Sequence, residues 1–409
     1  IKYNSQNYVV ISVLKDALNS TRNLKSIKFQ LFSQVRLFDY LSFSNTSIEK
    51  ITIPSSVTEI KGGWCRDAFN LKKIKIMSAN PRYSILDKKI IIGKSNIEQK
   101  KHDTIVFAIN NIEDVKIPNY IKKIGTCSFE NCKQIKSFEF LPNSILETIE
   151  NFAFNGSSIQ SIQIPDTVTE ISMYAFSICE NLEKVEFSNS KIQSIEKFVF
   201  ESTSIVNLSI PASVTVIKEY AFSNTKNLRS IEVPSNSQLL KIEANAFNRS
   251  SIERFTIPSK FEILEKEWNI NAPNISNISV ISDNSNFSVY EDKFLLTKSS
   301  KGQKDFDVLL LYFGKDENVL IPDFVEIICE LAFNECKQIR KVETSVNSKL
   351  KIIESSAFFD TSIESIILPS SLTKLQERWC FNSPNLKEIK VMSNNPIFST
   401  CNNNEVLLK

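Results

Sequence analysis

Glycine is scarce in this chain, with 7 residues in 409. That leaves little material for the glycine loops that cradle phosphates in nucleotide-binding folds. There is one histidine, His102, so a catalytic triad or zinc site built on imidazole has no second candidate. Neither charge sign is in clear excess: 49 Lys+Arg stand against 46 Asp+Glu, a net charge of +3. Nothing in that balance demands nucleic acid or an anionic membrane. The longest apolar runs, such as VLLLYF at 308–313, are far too short to span a bilayer. The eight cysteines contain no C-x-x-C. Cys127 and Cys132 are five apart, with no second pair or histidines at zinc spacing. No leader-like stretch opens the chain and no Met precedes Ile1, which reads as the start of a mature or truncated piece.

What is present is an internal repeat, the first thing to test at this length. An aromatic landmark recurs at Phe43, Phe129, Phe154, Phe176, Phe200, Phe222, Phe247, Phe333 and Phe358. Leu18, Cys65, Asn269 and Cys380 fill the same slot in variant copies. Most intervals are 22 or 24–25 residues, and two are 64. Three residues past every landmark stands a small residue, among them Thr46, Cys132, Ser157, Cys179, Thr225, Cys336 and Ser383. Its hydroxyl or thiol fits a tight bend and can bond neighbouring backbone. Beyond it comes an L-x-x-L-x-L pattern, as in Leu182-x-x-Val185-x-Phe187 and Leu228-x-x-Ile231-x-Val233. This is the core of a leucine-rich repeat: the last two apolar residues alternate with polar ones and point inward from a short strand. Connections of two lengths follow, a proline type such as IPSSVTEI and a longer type such as NSKLKIIE, which explains the alternating intervals.

A shift of 204 residues superposes Trp64 on Trp268, Asn80 on Asn284, Pro118 on Pro322 and Cys132 on Cys336. A block has therefore been duplicated, and a third copy begins near Trp379 and breaks off at Lys409, so continuation beyond that point is expected. The two long intervals each hold an insertion, 82–112 and 285–316, expected to form a β-hairpin, and 393–409 reads as the start of a third.

The motifs IPSSVTEI, YAFSICENLEKVEF and NPRYSILDKKIII resemble the BspA-type leucine-rich repeats of oral bacteria and parasitic protists. The resemblance covers essentially the whole chain. It departs at Trp64-Cys65, Trp268-Asn269 and Trp379-Cys380, which replace Ala-Phe. It implies surface-exposed adhesins and antigens that bind host matrix or cells, and the family has no shared catalytic residues to carry over.

The expectation is thus an α/β-type, mostly β repeat: one right-handed leucine-rich-repeat solenoid over 1–409, with parallel strands on one face and two inserted hairpins. Outward strand positions are the candidate partner surface. Its N-terminal end is lysine-rich, at Lys28, Lys50, Lys73 and Lys75, and no aromatic ladder runs along it, which disfavours single-stranded nucleic acid. Two readings of that face stand side by side, a solvated surface or a protein-docking surface with a basic end. The cysteines read as buried free thiols, and His102, beside Asp103, as an exposed turn residue. No catalytic residue, metal or cofactor is assigned. The partner is expected to be a protein, such as a host or matrix protein, and the place the cell surface or the extracellular space. The alternative is a cytoplasmic scaffold on a large assembly such as the cytoskeleton, which the unpaired cysteines favour.

Overall fold

The computed structural model describes residues 2–3, 6–7, 9–300, 302–401 and 406–408. The chain divides into two compact units, Ile1–Lys226 and Asn227–Lys409. Both are parallel-strand β-solenoids, and no described residue lies in a helix. What an α/β-type repeat builds as helix is built here as turns and a second row of strands.

Each coil has three sides. On the first, strands of three or four residues carry the repeat's apolar pair inward. Lys50–Ile53 pairs in parallel with Lys73–Ile76, and Ser161–Ile164 with Lys184–Phe187. In the second unit, Lys341–Glu343 pairs with Ser365–Leu368, which pairs with Glu388–Val391. Burial alternates as the pleat requires: in Ser161–Ile164, Ile162 and Ile164 are buried while Ser161 and Gln163 are exposed.

On the second side lies a ladder of two-residue strands. Lys123–Ile124, Thr148–Ile149 and Glu170–Ile171 pair in parallel, as do Ile327–Ile328, Ile352–Ile353 and Lys374–Leu375. These come from the end of each connection, where IPSSVTEI and NSKLKIIE converge on one inward Ile or Leu.

The third side is the landmark turn. Within the first unit Phe129, Phe154, Phe176, Phe200 and Phe222 stack ring on ring, with centroids 5.2, 5.1, 5.7 and 5.7 Å apart. Within the second, Tyr312, Phe333 and Phe358 stack at 5.2 and 4.6 Å. The Trp variants keep this contact in another form. Trp64, Trp268 and Trp379 each meet the preceding landmark Phe edge-on, at 80°, 85° and 88°. A Cys or Asn at the landmark leaves room, and the indole one residue earlier fills it. The small slot behaves as its chemistry suggests. Thr46, Thr203 and Thr225 donate to the carbonyl of their own landmark, while the Cys179 thiol donates to Phe154 O of the preceding coil at 3.0 Å.

The turn has one backbone feature that the composition hides. At each of the thirteen landmarks, the residues two before and two after have positive φ, yet Gly63 and Gly156 are the only glycines among them. Tyr174 (φ 59°) and Ile178 (φ 58°) are typical. Alternation of left- and right-handed residues turns every second N–H toward the next coil. Phe152, Phe154 and Gly156 donate to Met173, Ala175 and Ser177, while Ala153 and Asn155 donate back into their own turn. The inter-coil amides therefore all point the same way, as in a backbone nest.

Each insertion is a three-stranded antiparallel meander, of which the expected hairpin is the second and third strands. Tyr83–Leu86 pairs with Ile90–Gly93, which pairs with Thr104–Ala108. Phe287–Tyr290, Phe294–Thr297 and Val308–Tyr312 repeat this. The third strand of each then joins the two-residue ladder, against Lys123–Ile124 or Ile327–Ile328. One asparagine launches each meander. Asn284 Nδ2 donates to Pro258 O (2.8 Å) and Phe261 O (3.0 Å), and its Oδ1 accepts from Asn286 N (2.8 Å) and Phe287 N (2.9 Å). Asn80 and Asn395 make the equivalent four bonds. After Asn395, Ser399–Cys401 pairs antiparallel with Val406–Leu408.

Two substitutions test this account. Asn284→Ala removes the bonds to both carbonyls and takes the side-chain acceptor from the Asn286 and Phe287 amides, and is expected to cost about 3 kcal/mol. It should show as lost amide-exchange protection in Phe287–Tyr290, whereas Asn286→Ala, which removes one long bond (3.3 Å), should leave that protection nearly intact. Ile178 is exposed (44%) and β-branched in a conformation that suits asparagine far better. Ile178→Asn should therefore raise the urea midpoint, by about 1 kcal/mol of stability.

Candidate functional site

The lysines singled out in sequence lie where the outward positions of the long strands put them. Lys50 and Lys73 sit opposite one another in the parallel register, and Lys75 sits opposite Thr52. A single bridge, Ser26 to Lys50, ties the preceding coil to this pair. Lys28 follows that bridge, outside any strand, and is exposed. Lys25 and Lys72, which the sequence reading did not include, belong to the same face: Glu49 N donates to Lys25 O, and Lys72 N to Glu49 O. All six lysines are exposed, and none makes an ion pair among the described residues. Glu49 is the acidic residue in their midst.

That is unlike the rest of the face. Lys184 pairs with Glu186 at 2.5 Å, Lys341 with Glu343 at 2.6 Å, Lys390 with Glu388 at 2.9 Å and Lys116 with Glu139 at 3.4 Å. Elsewhere the strand sequence puts glutamate two residues from the lysine or on the neighbouring strand. In Lys50–Ile53 and Lys73–Ile76 (KITI and KIKI) it does not.

Other singled-out residues are structural. Cys65, Cys127, Cys132, Cys179 and Cys336 are buried, Cys329 and Cys380 half-buried, and all seven are free thiols. Burial pushes the thiols of Cys179 and Cys336 up to about 12, which holds them protonated and unreactive. His102 is half-buried rather than exposed, with its Nε2 enclosed and unpartnered, and burial lowers its pKa. Its neighbour Asp103 accepts from Ser95 N (2.8 Å) and Ser95 Oγ (2.7 Å) to close the base of the hairpin tip. Asp307 does the same with Ser299 (2.9 and 2.6 Å), so Phe306 is the counterpart of His102 in the second insertion.

Two features went unread in the sequence. Phe152, Tyr174, Phe198 and Tyr220, each two residues before a landmark, form a second, half-buried ring stack at 4.7, 4.7 and 4.9 Å, with edges outward and faces covered. Aromatics recurring at that offset were the available clue. Arg66 also forms an ion pair with Glu130 across the first insertion, joining the coil before it to a coil after it. Beside them Asn131 Nδ2 donates to Asp67 Oδ1 at 2.7 Å. No local pattern couples residues so far apart.

With this geometry in hand, the comparisons with known proteins are decisive for family. The model of the "BspA type Leucine rich repeat region (6 copies)" matches residues 3–89, 101–215, 193–298 and 312–407. The chain belongs to that family. This BspA-type chain is similar in structure to the pneumococcal vaccine antigen PcpA, with TM-score 0.54 at 17% identity, covering 78% of this chain and 84% of the other. It also aligns with a leucine-rich repeat protein from Bacteroides ovatus (TM-score 0.49, 19% identity, 88% and 84% covered). A leucine-rich cell surface protein from Faecalibacterium prausnitzii aligns at TM-score 0.47 and 20% identity, with 76% and 95% covered. No curated protein matches the sequence. No helix among the described residues is long and apolar enough to cross a membrane.

The Arg66–Glu130 pair gives a pH prediction. Burial pushes Glu130 up to about 7 from an ordinary 4.5, against the opposing pull of Arg66. The folded state thus holds a proton that the unfolded state releases. The resulting stabilisation is complete below the unfolded value and is lost as pH rises through the folded one. It amounts to no more than about 3 kcal/mol. Urea unfolding at pH 5 and pH 8 should show the native chain losing more stability than Glu130→Gln over that interval.

Proposed function

We propose that this BspA-type solenoid is a non-enzymatic recognition protein of the cell surface that docks a protein partner on its long-strand face. The observation that carries the reading is the unpaired lysine cluster on a face where the outward strand lysines elsewhere pair with glutamates. The family and the shared fold with a pneumococcal vaccine antigen support surface display. Leucine-rich repeats generally serve protein interaction, and their stacked coils present long, regular surfaces for it.

A second reading, an intracellular scaffold on a large assembly, is favoured by one observation: seven thiols, none in a disulfide among the described residues. Glycans separate the two only at accessible sites. Of the acceptor motifs Asn155-Gly-Ser and Asn207-Leu-Ser, the first is buried with its Asn155 Nδ2 donating to Ser177 O, so it cannot carry a glycan in the folded chain, whereas Asn207 is exposed on the strand face.

Photo-crosslinking groups placed at Gln163 and Ser209, on the long-strand face, and at Glu59 and Glu170, on the two-residue ladder, test the docking reading in the native source. Adducts are expected from the first pair and not the second, and equal yield from both would overturn it. Biotinylation of intact cells should label the protein if it is displayed, and should fail if the scaffold reading holds.

A further inference from the structure

The lysine cluster has a cost that the fold does not recover. Parallel strands lie about 4.8 Å apart, so Lys50 and Lys73, opposite in register, are forced together. Like charges directly opposite on a sheet are destabilising. Lys75, two residues along from Lys73 on the same side, and Lys72, beside it, crowd the group further. At the comparable positions of later coils the same backbone carries compensating glutamates, so the geometry does not require the clash. An external anion is what would offset it.

The shape of the patch narrows the anion. It is an open sheet surface, without aromatic side chains at its outward positions on which bases or sugar rings would stack, and it contains no arginine to grip sulfate or phosphate in two-pronged fashion. Outward lysines on one strand repeat every second residue, about 6.6 Å, which is also the spacing of same-side groups along an extended peptide. Resting on the reading that the strand face binds a protein, we infer that Lys25, Lys28, Lys50, Lys72, Lys73 and Lys75 dock an extended acidic segment of the partner, with carboxylates on alternate residues. Lys73 and Lys75 take successive carboxylates along the segment, and Lys50 flanks the first from the neighbouring strand.

The test uses the full chain and three probes: a peptide alternating Glu and Ser, a peptide of equal composition with its glutamates in one block, and heparin. The alternating peptide should bind most tightly, with affinity falling steeply as salt rises from about 50 to 300 mM. Lys50→Glu/Lys73→Glu/Lys75→Glu should weaken it at least tenfold, to order of magnitude, through loss of three ion pairs. Lys73→Glu alone places an acid between two lysines, so its urea midpoint should not fall, which keeps a loss of binding from being read as misfolding. Undiminished binding by the triple variant would overturn the proposal, as would equal affinity for the blocked peptide or binding of heparin alone. If crosslinks still form at Gln163 and Ser209 while the acidic peptides fail, this inference falls and the docking reading stands.

Discussion

Contact between one landmark ring and the next is the constraint on which the rest of the structure depends. Phe129 through Phe222 stack with near-parallel planes, between 6° and 18°. Rings held face to face fix both the rise and the rotation from coil to coil. The two strand ladders then fall into register because their ends are tied to that turn by short connections. Where the ring is lost, as at Cys65 or Cys380, a tryptophan one residue earlier restores the contact edge-on. A face-to-face or edge-to-face pair contributes roughly 0.5–1.5 kcal/mol beyond area burial. Repetition makes that modest term decisive for register.

The small slot and the turn serve the same end. At several bends threonine, serine or cysteine donates its polar hydrogen to a landmark carbonyl, as Thr46, Cys179 and Ser383 do, which satisfies acceptors that would otherwise lie buried in the turn. The insertions are accommodated without breaking this order. Each contributes its third strand to the existing two-residue ladder, so the meander adds a projection while the stack beneath continues within its unit.

Much of this was legible because it is local and periodic. The landmark, the small residue three positions on and the apolar pair recur within each coil, and Trp64, Asn80 and Cys132 reappear at a fixed offset. The two-residue ladder was not legible, since an alternation needs more than Glu59-Ile60 to register as one. The left-handed turns were hidden because tyrosine, isoleucine and arginine occupy positions where glycine is the usual sign. The first strand of each insertion was missed for a related reason: Tyr83–Leu86 mixes one buried residue with three half-buried ones. The outward lysines could be found from strand alternation, but their lack of partners could not. Pairing of Lys116 with Glu139, and the lack of any acid opposite Lys73, depend on which side chains the register brings together.

The alternating turn gives every coil a donor side and an acceptor side, like a brick with studs above and sockets below. Stacks of such coils extend only by setting studs into sockets. Two copies meeting by matching ends, as a twofold axis would demand, would press studs against studs. End-on association through these turns is therefore confined to head-to-tail arrangements.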